Sequence, residues 1–171
     1  ALDGEQVLLS TEGQKLALQL IRAHRLWELY LADETGHTED EWHTLAEAKE
    51  HQLSPSEVNE LAVRMGNPLF DPHGDPIPTA EGEIGCEQGD CIYGYTPGDV
   101  VVVKHIEDEP PAIYSQLIAE GFHIGMVVRI LEKTEDKMVV ASNDKEFVLA
   151  RITANNLSVE PLEADEEIIS L

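Results

Sequence analysis

The chain has 171 residues, enough for one large or two small domains, and 42% of them are hydrophobic, which allows real cores. It carries 34 acidic against 11 basic residues, a formal net charge of -23, so its surface repels nucleic-acid phosphates and suits cations. No apolar run approaches the ~20 residues needed to cross a bilayer, no signal-peptide pattern opens the chain, and Cys86 and Cys91 are too few for a disulfide framework; the expected compartment is cytoplasmic.

Asp3-Gly4 is a turn signal, and Gln6 to Leu9 reads as one strand of a hairpin whose partner would precede Ala1, which suggests a fragment of a longer protein. Residues 11–33 form a strong helix candidate. Leu16, Leu20, Ala23 and Trp27 recur at helical spacing, as do Leu18, Ile21 and Leu29. So wide an apolar surface fits a helix packed on more than one neighbour, or on a second copy of the chain. His24 and Glu28 are i, i+4 on this helix. His37 lies in the following turn and reads as solvated loop.

Thr38 and Glu41 form a capping box that opens a helix over 38–52. On it His43, Glu47, Glu50 and His51 fall within an arc of about 100°, at roughly 100° per residue. Taken alone, this is as easily a solvated acidic face as a binding face. Two imidazoles and two carboxylates on one face are also a mixed nitrogen and oxygen donor set, suited to manganese, ferrous iron or zinc. Facing helices can bring such groups together with His24 and Glu28. Ser54, Pro55 and Glu57 then open a third helix with the stripe Val58, Leu61, Ala62 and Met65, ended by Gly66.

Prolines 68, 72, 76 and 78 impose an extended path. His73 within it reads as turn-stabilising rather than metal-ligating. Glycines and acidic residues over 80–95 have linker composition. Cys86 and Cys91 are spaced C-x4-C without the second pair a zinc ribbon needs, so they read as idle thiols or an adventitious bridge. Residues 96–162 read as a small β domain: strands at Val100–Ile106, Met126–Glu132, Met138–Ser142, Glu146–Ala150 and Leu157–Glu160, with a helix over Pro110–Glu120 stopped by Gly121. Five short strands and one helix suit a small barrel. Residues 163–171 are an acidic tail. No Ser/His/Asp set, phosphate loop or HExxH motif stands out, so no enzyme is expected.

Leu9-Ser10-Thr11-Glu12-Gly13, His24-Arg25-Leu26-Trp27-Glu28, His43 to His51 and Asp71-Pro72-His73-Gly74-Asp75-Pro76-Ile77-Pro78 together resemble the C-terminal two-thirds of the diphtheria toxin repressor family, which includes the manganese transport regulators. Residues 96–162 are similar to the ferrous-iron-transport A (FeoA) type of SH3-like barrel, through Pro97-Gly98, Leu117 to Ile124 and the Gly125 turn. The resemblance implies an α+β chain. A helical metal-binding and dimerisation domain (1–79) is followed by a linker (80–95), an SH3-like FeoA-type β-barrel (96–162) and the tail.

Members of that family are metal-dependent repressors that bind DNA through an N-terminal winged helix, which this chain lacks. The resemblance implies a homodimer and a divalent cofactor, manganese or ferrous iron, with zinc possible. Motif match assigns Glu47, Glu50 and His51 to a primary site and His24, Glu28 and His43 to a second or paired one. A carboxylate at Glu47, where iron-responsive members often carry Cys, suits the harder metals. Glu107, Asp108 and Glu109 are the nearest acidic groups that the barrel offers as oxygen ligands. The alternative reading is the cytoplasmic regulatory C-terminal domain of a metal-ion ABC-transporter permease.

Overall fold

Three helices open the chain, each started by a side chain that satisfies its free N–H groups. The structure is a computed structural model and describes residues 9–86 and 88–162; the strand expected over Gln6 to Leu9, save its last residue, and the acidic tail lie outside the described residues. Helix α1 spans Thr11–Glu34, with Ser10 Oγ accepting from the Gly13 amide. Helix α2 spans Glu39–Glu50 behind the Thr38/Glu41 capping box, and α3 spans Pro55–Arg64 behind the Ser54/Glu57 box with Pro55 in its first turn. Gly66 and Asn67, both at positive φ, end the helical run.

The chain divides into two compact units, one holding residues 1–71 and 76–86, the other 72–75 and 87–171. In the helical unit Ala23, Leu26, Val58, Leu61, Ala62 and Ile77 form the buried core, flanked by Trp27, Tyr30, Leu53 and Met65. The proline-rich segment straps α1 through main-chain acceptors. Arg22 donates to the Pro78 carbonyl at 2.6 Å and Arg25 to that of Pro76 at 2.6 Å, while Arg25 Nε lies 3.6 Å from Asp71 Oδ2. Prolines serve here because their carbonyls remain free acceptors although they have no N–H to donate.

The other unit is an antiparallel sheet in the order β1-β6-β2-β3-β4-β5. Its strands are β1 (Asp90–Cys91), β2 (Val100–Ile106), β3 (Val127–Lys133), β4 (Lys137–Ser142), β5 (Lys145–Ala150) and β6 (Leu157–Pro161), with helices α4 (Pro111–Glu120) and α5 (Arg151–Ala154). Alternating burial along β3 and β5 turns Val128, Ile130, Phe147 and Leu149 inward onto Leu117 of α4 and Phe122. Two features depart from the sequence reading. Asp90–Cys91 and the 3-10 turn Ile92–Gly94, taken as linker, belong to the β unit, and Ile92 is fully buried. The short α5 was also missed, because four residues are too few to show helical period.

Pro72–Asp75 groups with the β unit. The Ile106 amide donates to the His73 carbonyl at 3.0 Å. Gly74 sits at φ +93, and a Cβ there would meet the Lys104 carbonyl oxygen at 2.1 Å. Glycine is thus required twice over, by the left-handed backbone and by the close approach. Gly74→Ala is expected to destabilise the β unit by about 2 kcal/mol or more, read as a lowered denaturation midpoint; an unchanged midpoint would mean that the loop moves away without cost.

Candidate metal centre

Helix α1 meets α2 through a stripe of His43, Ala46 and Glu50. Ala46 is fully buried, and its single methyl lets the two helices approach closely. His43, three residues before it, and Glu50, four after, therefore face α1, where His24 and Glu28 occupy successive turns of one face.

One ligand atom from each of His24, Glu28 and His43 can be chosen so that all lie within 4.8 Å of one another. Glu28 is only 2% exposed; its Oε1 is 3.0 Å from His24 Nε2 and 3.4 Å from His43 Nδ1. The His24 and His43 rings meet edge-on with centroids 4.8 Å apart. His24 Nδ1 in turn lies 2.6 Å from Glu50 Oε2, and Glu50 Oε1 lies 3.3 Å from His51 Nε2.

Of the six sequence-predicted residues, three meet directly and two more are linked to them by contacts. His24, Glu28 and His43 come together, and Glu50 joins them to His51. Glu47 is exposed and joins no such group among the described residues. The spacing of α2 held a signal for this: the stripe about Ala46 places His43 and Glu50 on the side facing α1 and turns Glu47 about 100° away. Glu107, Asp108 and Glu109 follow β2 in the β unit. Cys86 and Cys91 are exposed free thiols.

Both ring nitrogens of His24 contact carboxylates, which accept but do not donate, so both carry a proton and the ring is an imidazolium. Burial alone would lower its pKa, but hydrogen bonds and charges from Glu28 and Glu50 outweigh burial and raise it to about 9. The proton stands where a cation is wanted, between two carboxylates. A divalent metal would replace it, held by His24, Glu28 and His43 and supplying the positive charge that the buried Glu28 carboxylate requires. Two imidazoles and a carboxylate suit manganese, ferrous iron and zinc alike. Beside Glu50 and His51 lies a groove of about 520 Å³ in the helical unit, with Leu16, Leu20, Leu53 and Val58 among its walls.

Residues 10–79 match the family model described as iron dependent repressor, metal binding and dimerisation domain, and residues 93–161 match the FeoA domain. The diphtheria toxin repressor of Corynebacterium glutamicum is 35% identical over 166 residues, covering 91% of this chain and 72% of that protein. A probable metal transport system membrane protein of Chlamydia trachomatis is 39% identical over 70 residues, covering 41% of this chain and 16% of that protein. The first relatives in order of similarity are thus matched over well under two thirds of their length. A solved manganese-dependent transcriptional repressor in complex with manganese superposes with a TM-score of 0.83 at 31% identity, covering 91% of this chain and 76% of that one.

Two outcomes are expected. The raised pKa of His24 contributes stability to the metal-free fold that is fully present below about pH 6.5 and lost as pH rises through about 9. Metal binding must displace that proton, so between those limits apparent affinity should rise roughly tenfold per pH unit with release of about one proton. This moves the pH dependence above the 6.5 of an ordinary histidine, and calorimetry in buffers of different ionisation enthalpy measures the release; none at pH 7.5 would show that His24 is not a ligand. Second, His43→Ala should weaken manganese or zinc binding more than Glu47→Ala, because Glu47 stands apart from the group. Equal losses in calorimetric titration would reverse that ranking.

Proposed function

The chain belongs to the diphtheria toxin repressor family of iron-dependent repressors, and on that premise we propose that it is the metal-sensing and dimerising region of a transcriptional regulator that responds to manganese or ferrous iron. The observation that carries the reading is the convergence of His24, Glu28 and His43 from two helices onto a buried carboxylate. The similarity to a manganese-dependent repressor over 91% of this chain adds to it. The site is read as regulatory rather than catalytic, and the regulator as cytoplasmic. Residues 10–79 are taken as the sensing and dimerising part and 90–162 as the FeoA-type domain, joined by the stretch between them.

In this reading His24, Glu28 and His43 hold one metal ion, and Glu50, His51 and Glu47 begin a second site. The metal supplies positive charge between carboxylates. The chain's part is to hold neutral imidazoles in place and to give up the His24 proton. An upstream helix seated in the groove beside Glu50 and His51 would complete the second site. Metal would then favour one placement of an upstream winged helix, through which DNA would be bound; the coupling is a difference in metal affinity between two arrangements.

Among the described residues no helix is long and apolar enough to cross a membrane. Whereas the metal transport membrane protein is matched over 70 residues, the diphtheria toxin repressor is matched over 166, across both matched domains, which favours the regulator over the permease reading.

Leu16 on α1 and Val63 on α3 are apolar and more than half exposed, and they fit burial against a second copy. The chain is expected to sediment as a homodimer at micromolar concentration, with Val63→Asp shifting it to monomer. A parent chain that sediments as a monomer would remove dimerisation from the reading. With a net charge of -23, the chain alone should give no gel shift with specific DNA at physiological salt.

A further inference from the structure

We infer that β5 is a self-pairing edge, through which the β units of two copies join antiparallel about a two-fold axis at Val148. Among the described residues the sheet order leaves β5 hydrogen-bonded to β4 alone. The pair has no bulge, running from Ser142↔Lys145 to Lys137↔Ala150. A two-residue turn through Asn143, at φ 52, makes Ser142 and Lys145 the first hydrogen-bonded pair. The Arg151 amide donating to the Asp136 carbonyl fits the same alternation. The N–H and C=O groups of Glu146, Val148 and Ala150 therefore point away from β4, toward the open edge. Among the described residues no main-chain partner is recorded for them.

Most exposed edges are protected by proline, by a bulge or by an inward-pointing charge. β5 has neither proline nor bulge; its one charge on the inward side, Lys145, sits at the strand's exposed first position over the Phe147 ring, and Val148 on the outer face is 62% exposed. A second copy fits this edge by charge as well as by backbone. With the axis at Val148, the two Val148 side chains meet, and Glu146 lies opposite Ala150 of the second copy. The next strand beyond that Ala150 carries Lys137 on the same face, since Lys137 and Ala150 are paired. Glu146 and Lys137 of the second copy are then about 10 Å apart at Cα, two strand spacings, within their combined reach over the small alanine. The axis generates this ion pair twice, beside about six main-chain hydrogen bonds. Lys145 and Arg151 would also fall opposite one another, but each is already engaged. Lys145 donates to the Glu120 carbonyl at 2.8 Å and covers the Phe147 ring, and Arg151 covers the Tyr93 ring.

A single strand pair buries little surface, so the association is weak and adds to any pairing through the helices. The test is sedimentation velocity of the full chain at physiological salt, from low to high micromolar concentration, in the parent and in Val63→Asp. The parent should show a second association step above its starting species, and Val63→Asp should keep one step, from monomer to dimer. Glu146→Lys should weaken the step at least tenfold, and Glu146→Lys with Lys137→Glu should restore it. These positions are exposed, and equal denaturation midpoints check that the variants fold. No β5-dependent step in either background, a step indifferent to Glu146→Lys, or failure of the double variant to recover it would overturn the inference. Loss of the helical dimer alone would leave the β5 step visible as monomer to dimer.

Discussion

A carboxylate that is only 2% exposed needs positive charge beside it, and Glu28 on α1 is the point from which the helical unit is organised. Without a counter-charge, removing a carboxylate from water is far more costly than any single packing gain in so small a core. Two histidines answer it, one from its own helix and one from α2. The requirement reaches into the backbone. α2 must lie close to α1, which is why Ala46 rather than a larger residue stands at their crossing, and Glu50 then falls on His24. The contact proposed to hold a metal ion and the packing that joins the helices are the same.

Much of this was legible. The i, i+4 spacing of His24 and Glu28, the two capping boxes and the stripe of α3 are local, and local signals survive translation into structure with few changes. The turn of α2 against α1 was not legible, because it depends on which of its residues pack inward. Reading His43, Glu47, Glu50 and His51 as one face counted polar groups. The deciding residue was the apolar one between them, Ala46, whose burial turns Glu47 outward. The extent of the β unit was misread for a related reason. Glycines and acidic residues around Ile92 look like a linker, yet one fully buried isoleucine ties that stretch to the sheet.

The proline-rich segment shows how one motif meets two demands. Its carbonyls at Pro76 and Pro78 accept from Arg25 and Arg22, so it is fastened to α1. Its glycine, Gly74, packs where no side chain fits, against the backbone of β2. The sequence showed the prolines as a barrier to helix, but their acceptors and the glycine's close approach are tertiary facts that no local pattern carries.

The two units differ in what holds them. The β unit buries a large apolar cluster, from Ile92 to Val159, that includes Phe122, Phe147 and Leu117. Among the described residues the hydrophobic cluster of the helical unit is Ala23, Leu26, Val58, Leu61, Ala62 and Ile77, with Leu31 and Ala46 also buried. A core of that size contributes little beyond the conformational entropy it must offset. The rest has to come from capping boxes, from the arginine contacts to the proline strap, from surface covered by a second copy, and from whatever cation satisfies Glu28. A ligand that binds only the folded arrangement stabilises it by mass action. In the proposed reading this division suits a sensor: the helical unit, with the smaller apolar cluster, is the one a bound metal would stabilise most, while the β unit rests on its own larger apolar cluster.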